Sequence, residues 1–242
     1  MSPTPLVAPL TLATPRRRPL AATVRGALAG AAAVGVGIEC AYGSVPTVLS
    51  YFTIWTNILV AVVFGVSAAR AARGRPDLSP ALRGGVLLFI LVTGLVFHLV
   101  LDNPASPYNV TAAIDGLTGP KAVANQLLHT VTPIGAALDF LLLTPARRLR
   151  PRHAALWLAY PAAYLGFALT RGALLAPDSP NRYPYPFVDV TRYGYGSVLV
   201  NALVLGAGFL LLGLLLTTAD RFRPAVSLPG NRISSPAEGR LQ

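Results

Sequence analysis

Hydrophobic positions in this chain fall in long runs broken by short polar stretches, and the runs set the architecture. They cover about 21–42, 47–69, 81–101, 121–144, 153–170 and 196–218. Each is near the ~20 residues that cross a hydrocarbon core as a helix. The pattern predicts an all-α polytopic membrane protein in which six transmembrane helices occupy residues 21–218. A leader over 1–20, rich in Pro, Thr and Arg with no period, and a Pro/Ser/Gly-rich tail over 219–242 are expected to be disordered. The first run also exceeds the ~7–15-residue core of a cleavable signal peptide.

Punctuation within the runs adds detail. Ser79 and Pro80 suit the N-cap and first turn of the third helix. Pro133 and Pro161 lack the N–H that would reach the carbonyls of His129 and Trp157, which predicts kinks in the fourth and fifth helices. Gly26 and Gly30 form a GxxxG step that permits close packing of the first helix.

Composition and charge then fix the class. The sequence is 53% hydrophobic and only 12% charged, and its mean hydropathy is +0.56. A net charge of +11 could suggest nucleic acid, but the arginines cluster between apolar runs, which is a membrane topology signal. Arg16–Arg18, Arg70 to Arg83, Arg147 to Arg152, and Arg221 with Arg223 all fall on one side of a six-helix arrangement. That side is therefore expected to be cytoplasmic, with both termini on it. Nineteen arginines against one lysine look like a high-GC coding bias, and a bacterial plasma membrane is the expected location. The single cysteine, Cys40, excludes an intrachain disulfide and is read as a packing residue.

The polar residues inside the runs are the candidates for chemistry. In the fourth run Asn125, His129, Thr132 and Asp139 share one helical stripe. His129 lies deeper than a short side chain can readily snorkel, so it needs a partner. On the second run Thr53, Thr56 and Asn57 form a second polar face at about the depth of His129. Glu39, His98 and Asn201 lie toward the same outer end, whereas Asp139 lies toward the inner one, where, like Glu39 and His98, it could reach headgroups. The match in depth predicts a polar pocket open to the outer side.

A neutral imidazole there can take a proton from Thr53 or Thr56, making either hydroxyl a nucleophile toward an ester carbonyl. Asn57 and Asn125 could orient the ring or donate to an oxyanion, with Glu39 and His98 as further supporting candidates. A zinc site using His98, Asp102, His129 and Glu39 is a rival, but no dense ligand run such as H-E-x-x-H is present, and no metal or other cofactor is expected. The Tyr/Pro-rich stretch Pro177 to Tyr195 reads as an aromatic belt, or as a lid over the pocket. Two non-enzymatic readings remain: a lipid or small-molecule carrier, and a proton path through Glu39, His98, His129 and Asp139.

Three local patterns resemble the androgen-induced protein family of multi-pass membrane hydrolases, including its bacterial six-pass branch. They are Tyr51-Phe52-Thr53 followed by Asn57, His129-Thr130 followed by Pro133, and Tyr185-Pro186-Phe187. Their joint order covers roughly residues 48–218. The resemblance implies a threonine nucleophile at Thr53 and a histidine base at His129. It further implies hydrolysis of fatty acid esters of hydroxy fatty acids without a metal, with a membrane lipid or fatty acyl ester as the substrate. Thr53 and Asn57 stand four apart rather than the family's three, which leaves Thr56 as an alternative nucleophile.

Overall fold

The computed structural model describes residues 17–224. The expectations for the leader before Arg17 and the tail beyond Pro224 lie outside the described residues.

Helices follow one another along the chain. They are α1 (Pro19–Tyr42), the short α2 (Val45–Val48), α3 (Phe52–Ala72), α4 (Pro80–Val96) and the short α5 (Thr111–Asp115). After these come α6 (Gly119–Gln126), α7 (Thr132–Leu138), α8 (Pro151–Trp157), α9 (Ala159–Leu174) and α10 (Val190–Phe222). Wide π turns at Phe97–Leu101, Leu127–Val131 and Asp139–Leu143 extend α4, join α6 to α7, and end α7. Among the described residues, five helical segments are long and apolar enough to cross a membrane: Pro19–Tyr42, Phe52–Ala72, Pro80–Leu101, Gly119–Leu143 and Val190–Phe222. The chain is a multi-pass membrane protein.

The fifth expected span is divided. Leu158 interrupts it between α8 and α9, next to Trp157, whose carbonyl Pro161 cannot bond. The last helix starts at Val190 rather than Gly196, with the Asp189 carboxylate accepting from Arg192 N–H at 3.1 Å. It is not continuous, because Gly194 has φ 74° and breaks the helical path there. Ser79 does cap α4, accepting from Leu82 N–H at 3.3 Å, with Pro80 in the first turn.

Packing places α4 at the centre and α10 at the rim. In the most apolar stretch of each span 67% of residues are buried for Pro80–Leu101, against 17% for Val190–Phe222. The exposed side of α10 carries Leu203, Val204, Leu211 and Leu215, a surface suited to lipid. Small residues let α1 approach α3: a Cβ added at Gly26 would lie 3.9 Å from that of Ala68, and one at Gly65 would lie 3.7 Å from that of Ala29. Gly30 faces open space, so only the first glycine of the GxxxG step lies in this seam.

Where α4 crosses the fourth span, Gly94 abuts the wide turn that precedes Pro133. An added methyl group would lie 3.0 Å from the proline Cβ and Cγ and 3.2 Å from the His129 carbonyl oxygen. A ring and a backbone oxygen cannot swing aside as a flexible side chain can. Gly94→Ala is therefore expected to destabilise the protein by about 1–3 kcal/mol, read as a lowered unfolding midpoint in detergent. Gly206→Ala, which meets nothing within 4 Å, serves as the matched control.

The arginine-rich end is held by a buried ionic network. Arg25 donates through Nε to Asp139 Oδ1 and through Nη1 to Asp77 Oδ2, both at 2.7 Å. Arg83 donates to Asp77 Oδ2 at 2.5 Å, to Asp139 Oδ2, and to Thr144 Oγ1 at 2.9 Å. Asp139 is 1% exposed and Arg25 is fully buried, which corrects the expectation that Asp139 reaches headgroups. The nearby arginines hold it inside the bundle instead. A neighbouring knot centres on Asp220, which accepts from the Arg148 and Leu149 N–H groups at 2.7 Å and from Arg223 at 2.6 Å.

Candidate active site

At the opposite end, the start of α3 lies inside the protein. Tyr51 is extended, and its carbonyl takes the first returning bonds, from Ile54 and Trp55 at 3.1 and 3.2 Å. Phe52 and Thr53 therefore keep N–H groups that the helix cannot satisfy. Thr53 N–H donates to the Tyr185 hydroxyl oxygen at 3.2 Å, and Thr53 Oγ1 lies 3.3 Å from that same oxygen. The other neighbour of Thr53 Oγ1 is His129 Nε2, at 3.2 Å.

Backbone geometry aims the imidazole. His129 sits in the π turn between α6 and α7, and its Nδ1 lies 3.1 Å from the Asn125 carbonyl oxygen. A carbonyl only accepts, so in the neutral ring Nδ1 carries the hydrogen and Nε2 presents a lone pair to the Thr53 hydroxyl. Phe97, from the π turn after α4, stacks on the ring at 4.0 Å between centroids and 17° between planes. The ring is thus fixed by one hydrogen bond and one stacked face.

Asn57 fastens α3 to the turn that carries His129. Its Nδ2 donates to the Leu128 carbonyl at 3.2 Å and to the Thr53 carbonyl at 2.9 Å, and its Oδ1 accepts from Thr132 Oγ1 at 2.8 Å. This differs from the expected role, since Asn57 holds backbone next to the imidazole rather than the imidazole itself. Asn125 likewise contributes its carbonyl and not its side chain. The cause is the wide turn, which leaves the carbonyls of Asn125 and Leu128 available.

The remaining candidates lie apart from this pair. Thr56 is fully buried and lies 3.5 Å from the Tyr160 hydroxyl on the side of α9, not toward His129. Glu39 pairs with Lys121 at 2.5 Å on the wall of a cavity at this end, and exposed His98 meets Thr130 Oγ1 at 3.2 Å. Among the described residues, no three His, Cys, Asp or Glu side chains gather as metal ligands would.

Tyr185 reaches the site from the connection between α9 and α10, where a single 3₁₀ turn spans Pro186–Val188. Its ring stacks on Phe187 at 5.1 Å and meets Tyr51 edge-on at 5.5 Å. Asn201 on α10 secures the turn by donating to the Phe187 carbonyl at 2.9 Å, and accepts from the Tyr108 hydroxyl at 3.0 Å. Burial pushes the Tyr185 phenol up to about 12, so it keeps its proton and remains a donor at neutral pH. Two features of the sequence point to this residue: the short Tyr-Pro-Phe pattern, and its place in the Tyr/Pro-rich stretch read as an aromatic belt or a lid.

Thr53 and His129 stand where two cavities of different character adjoin. One, of about 670 Å³, is walled by Glu39, Lys121, Asn125, Arg182 and Arg192, and by most of the stretch from Pro177 to Arg192. The other, of about 350 Å³, is apolar and runs between α4, α9 and α10 past Val92, Val96, Leu165, Gly206 and Phe209. Thr53, His129, Phe97 and Tyr185 line both. Leu199 and Leu203, on the wall of the apolar cavity, are 60% and 65% exposed, so that cavity lies beside the surface available to lipid. Compared with family models, curated proteins and solved structures, the chain matches none.

Proposed function

We propose that this protein is a membrane lipid-ester hydrolase with Thr53 as nucleophile and His129 as general base, and that it belongs to the androgen-induced protein family. The observation that carries the reading is the Thr53 Oγ1 to His129 Nε2 contact at 3.2 Å on the boundary between a polar and an apolar cavity. An acyl ester has the same division: its chain fits the apolar space, and its polar alcohol portion fits the other. The carbonyl then falls beside Thr53. In this reading α8 and α9 together make a sixth span, the arginine-rich end faces the cytoplasm with both termini, and the site opens outward at the plasma membrane.

The chemistry balances without further groups. Thr53 Oγ1 attacks the ester carbonyl carbon as its proton passes to His129 Nε2, and the carbonyl oxygen gains negative charge. His129 then gives that proton to the departing alkoxide, leaving an acyl-threonine and a free alcohol. Water, deprotonated by His129, cleaves the acyl-threonine to a fatty acid and restores the hydroxyl. Tyr185 O–H, 3.3 Å from Thr53 Oγ1 at the positive end of α3, is the donor nearest the developing oxyanion. Tyr185→Phe keeps the stacked ring and removes this donor. It is expected to lower turnover by about 10²- to 10³-fold with little change in KM.

The direct test is turnover of a panel of long-chain fatty acyl esters by purified protein. It is joined to fluorophosphonate labelling, with the modified residue located by peptide mass spectrometry. Cleavage together with a label on Thr53 is the expected result. A lipid that copurifies and is never cleaved, with Thr53 unlabelled, would replace this reading with a carrier.

A further inference from the structure

A third cavity, of about 500 Å³, opens at the arginine-rich end, remote from the Thr53 and His129 pair. Its floor is apolar, made by Phe64, Leu87, Ala136 and Phe140, and its charged wall includes Arg18, Arg83, Asp77, Asp139 and Asp220. Every one of these carboxylates is already engaged. Asp139 accepts from Arg25, Arg83 and Thr144. Asp77 accepts from Arg25, Arg83 and Leu78 N–H and lies 3.7 Å from Arg18, while Asp220 is taken by Arg223 and two backbone N–H groups. Arg75 and Arg148 also line the cavity, and both are exposed. Among the described residues, neither of these guanidiniums has a hydrogen-bonding or ion-pairing partner; only their backbone groups are used.

The cavity therefore has two unpaired guanidiniums, while every oxygen of its three carboxylates already has a partner. A cation would find every carboxylate oxygen contested, whereas an anion with several oxygens would find two free forks over an apolar floor. We propose that this cavity binds a phosphate group, and that Arg75 and Arg148 are its ligands. An amphiphile with an anionic phosphodiester head suits the site, because its first methylenes can lie against Phe64 and Phe140 while the head stays at the arginines. A soluble phosphate would use the same two arginines without the floor. This site is independent of ester hydrolysis.

Unfolding of the full-length protein in lipid nanodiscs tests the assignment. Discs of phosphatidylcholine alone are compared with discs containing phosphatidylglycerol, and with phosphatidylcholine discs given inorganic phosphate at matched ionic strength. Binding to the folded state raises the midpoint. A gain with phosphatidylglycerol alone assigns a lipid headgroup, and a gain with inorganic phosphate assigns a soluble phosphate. In either case Arg75→Gln with Arg148→Gln is expected to remove more than about half of the gain. The control pair Arg73→Gln with Arg152→Gln, exposed arginines outside the cavity, is expected to retain it. The proposal is overturned if no anion raises the midpoint, if the Arg75 and Arg148 pair keeps the full gain, or if the control pair loses as much.

Discussion

Replacing His129 with alanine is expected to lower turnover of long-chain esters by roughly 10²- to 10⁴-fold, the usual contribution of a positioned general base. Under the proposed mechanism Thr53→Ala should be more severe, beyond about 10⁴-fold, because it removes the atom proposed to form the covalent intermediate. Combining the two changes should add little if the two residues act as one nucleophile and base unit, as proposed. Thr56→Ala tests the alternative nucleophile. Its hydroxyl meets Tyr160 rather than His129, so ester turnover is expected to stay within a few-fold of the unaltered protein. Rates measured on protein with an unaltered unfolding midpoint separate these effects from misfolding. Equal losses at Thr53 and Thr56 would refute the assignment of the nucleophile.

The largest effect on stability is expected at the other end of the bundle. Asp139→Ala leaves Arg25, fully buried, with Asp77 and the Leu143 carbonyl as its remaining partners, and it removes the deepest partner of Arg83. Breaking a buried pair in this way costs about 3–5 kcal/mol, so the unfolding midpoint in detergent should fall sharply. Arg25→Met combined with Asp139→Leu should recover part of that loss, because apolar groups need no compensating charge. Asp77 gives the network its pH dependence. Burial pushes its carboxyl up, but Arg83, Arg25, the Leu78 N–H and Arg18 outweigh burial and hold it below the usual carboxylate range. With the folded value lowered, the stabilisation is complete above about pH 4 and is lost as pH falls through the folded value.

These two ends differ in how far the sequence announces them. Helical spacing put Thr53 at the depth of His129, and depth follows from counting residues along a span. Their contact also depends on the π turn at Leu127–Val131, and apolar periodicity carries no mark of one extra residue in a turn. The same turn explains why Asn57 holds a carbonyl instead of the imidazole. Pro161 correctly signalled a break beside Trp157, because the lost hydrogen bond is a local property of proline. Arg25 carried no such signal: it reads as one arginine within an apolar run, and its partner Asp139 lies 114 positions along the chain. Asp139 looked like a residue able to reach water, since neither charge reveals that it will meet the other. The contact of Tyr185 with Thr53, across 132 positions, is hidden in the same way.

The ionic network also bears on how the protein responds to a membrane potential. Arg25 and Arg83 contribute two positive charges, Asp77 and Asp139 two negative ones, and these four sum to zero, with the more exposed Arg18 beside Asp77 as a fifth member at the edge. A transmembrane voltage does work in proportion to the net charge that moves through it, about 2.3 kcal/mol per elementary charge per 100 mV. A neutral quartet moving as a unit gives that field almost nothing to act on. The four can thus stay charged inside the bundle while presenting no net charge for the field to move.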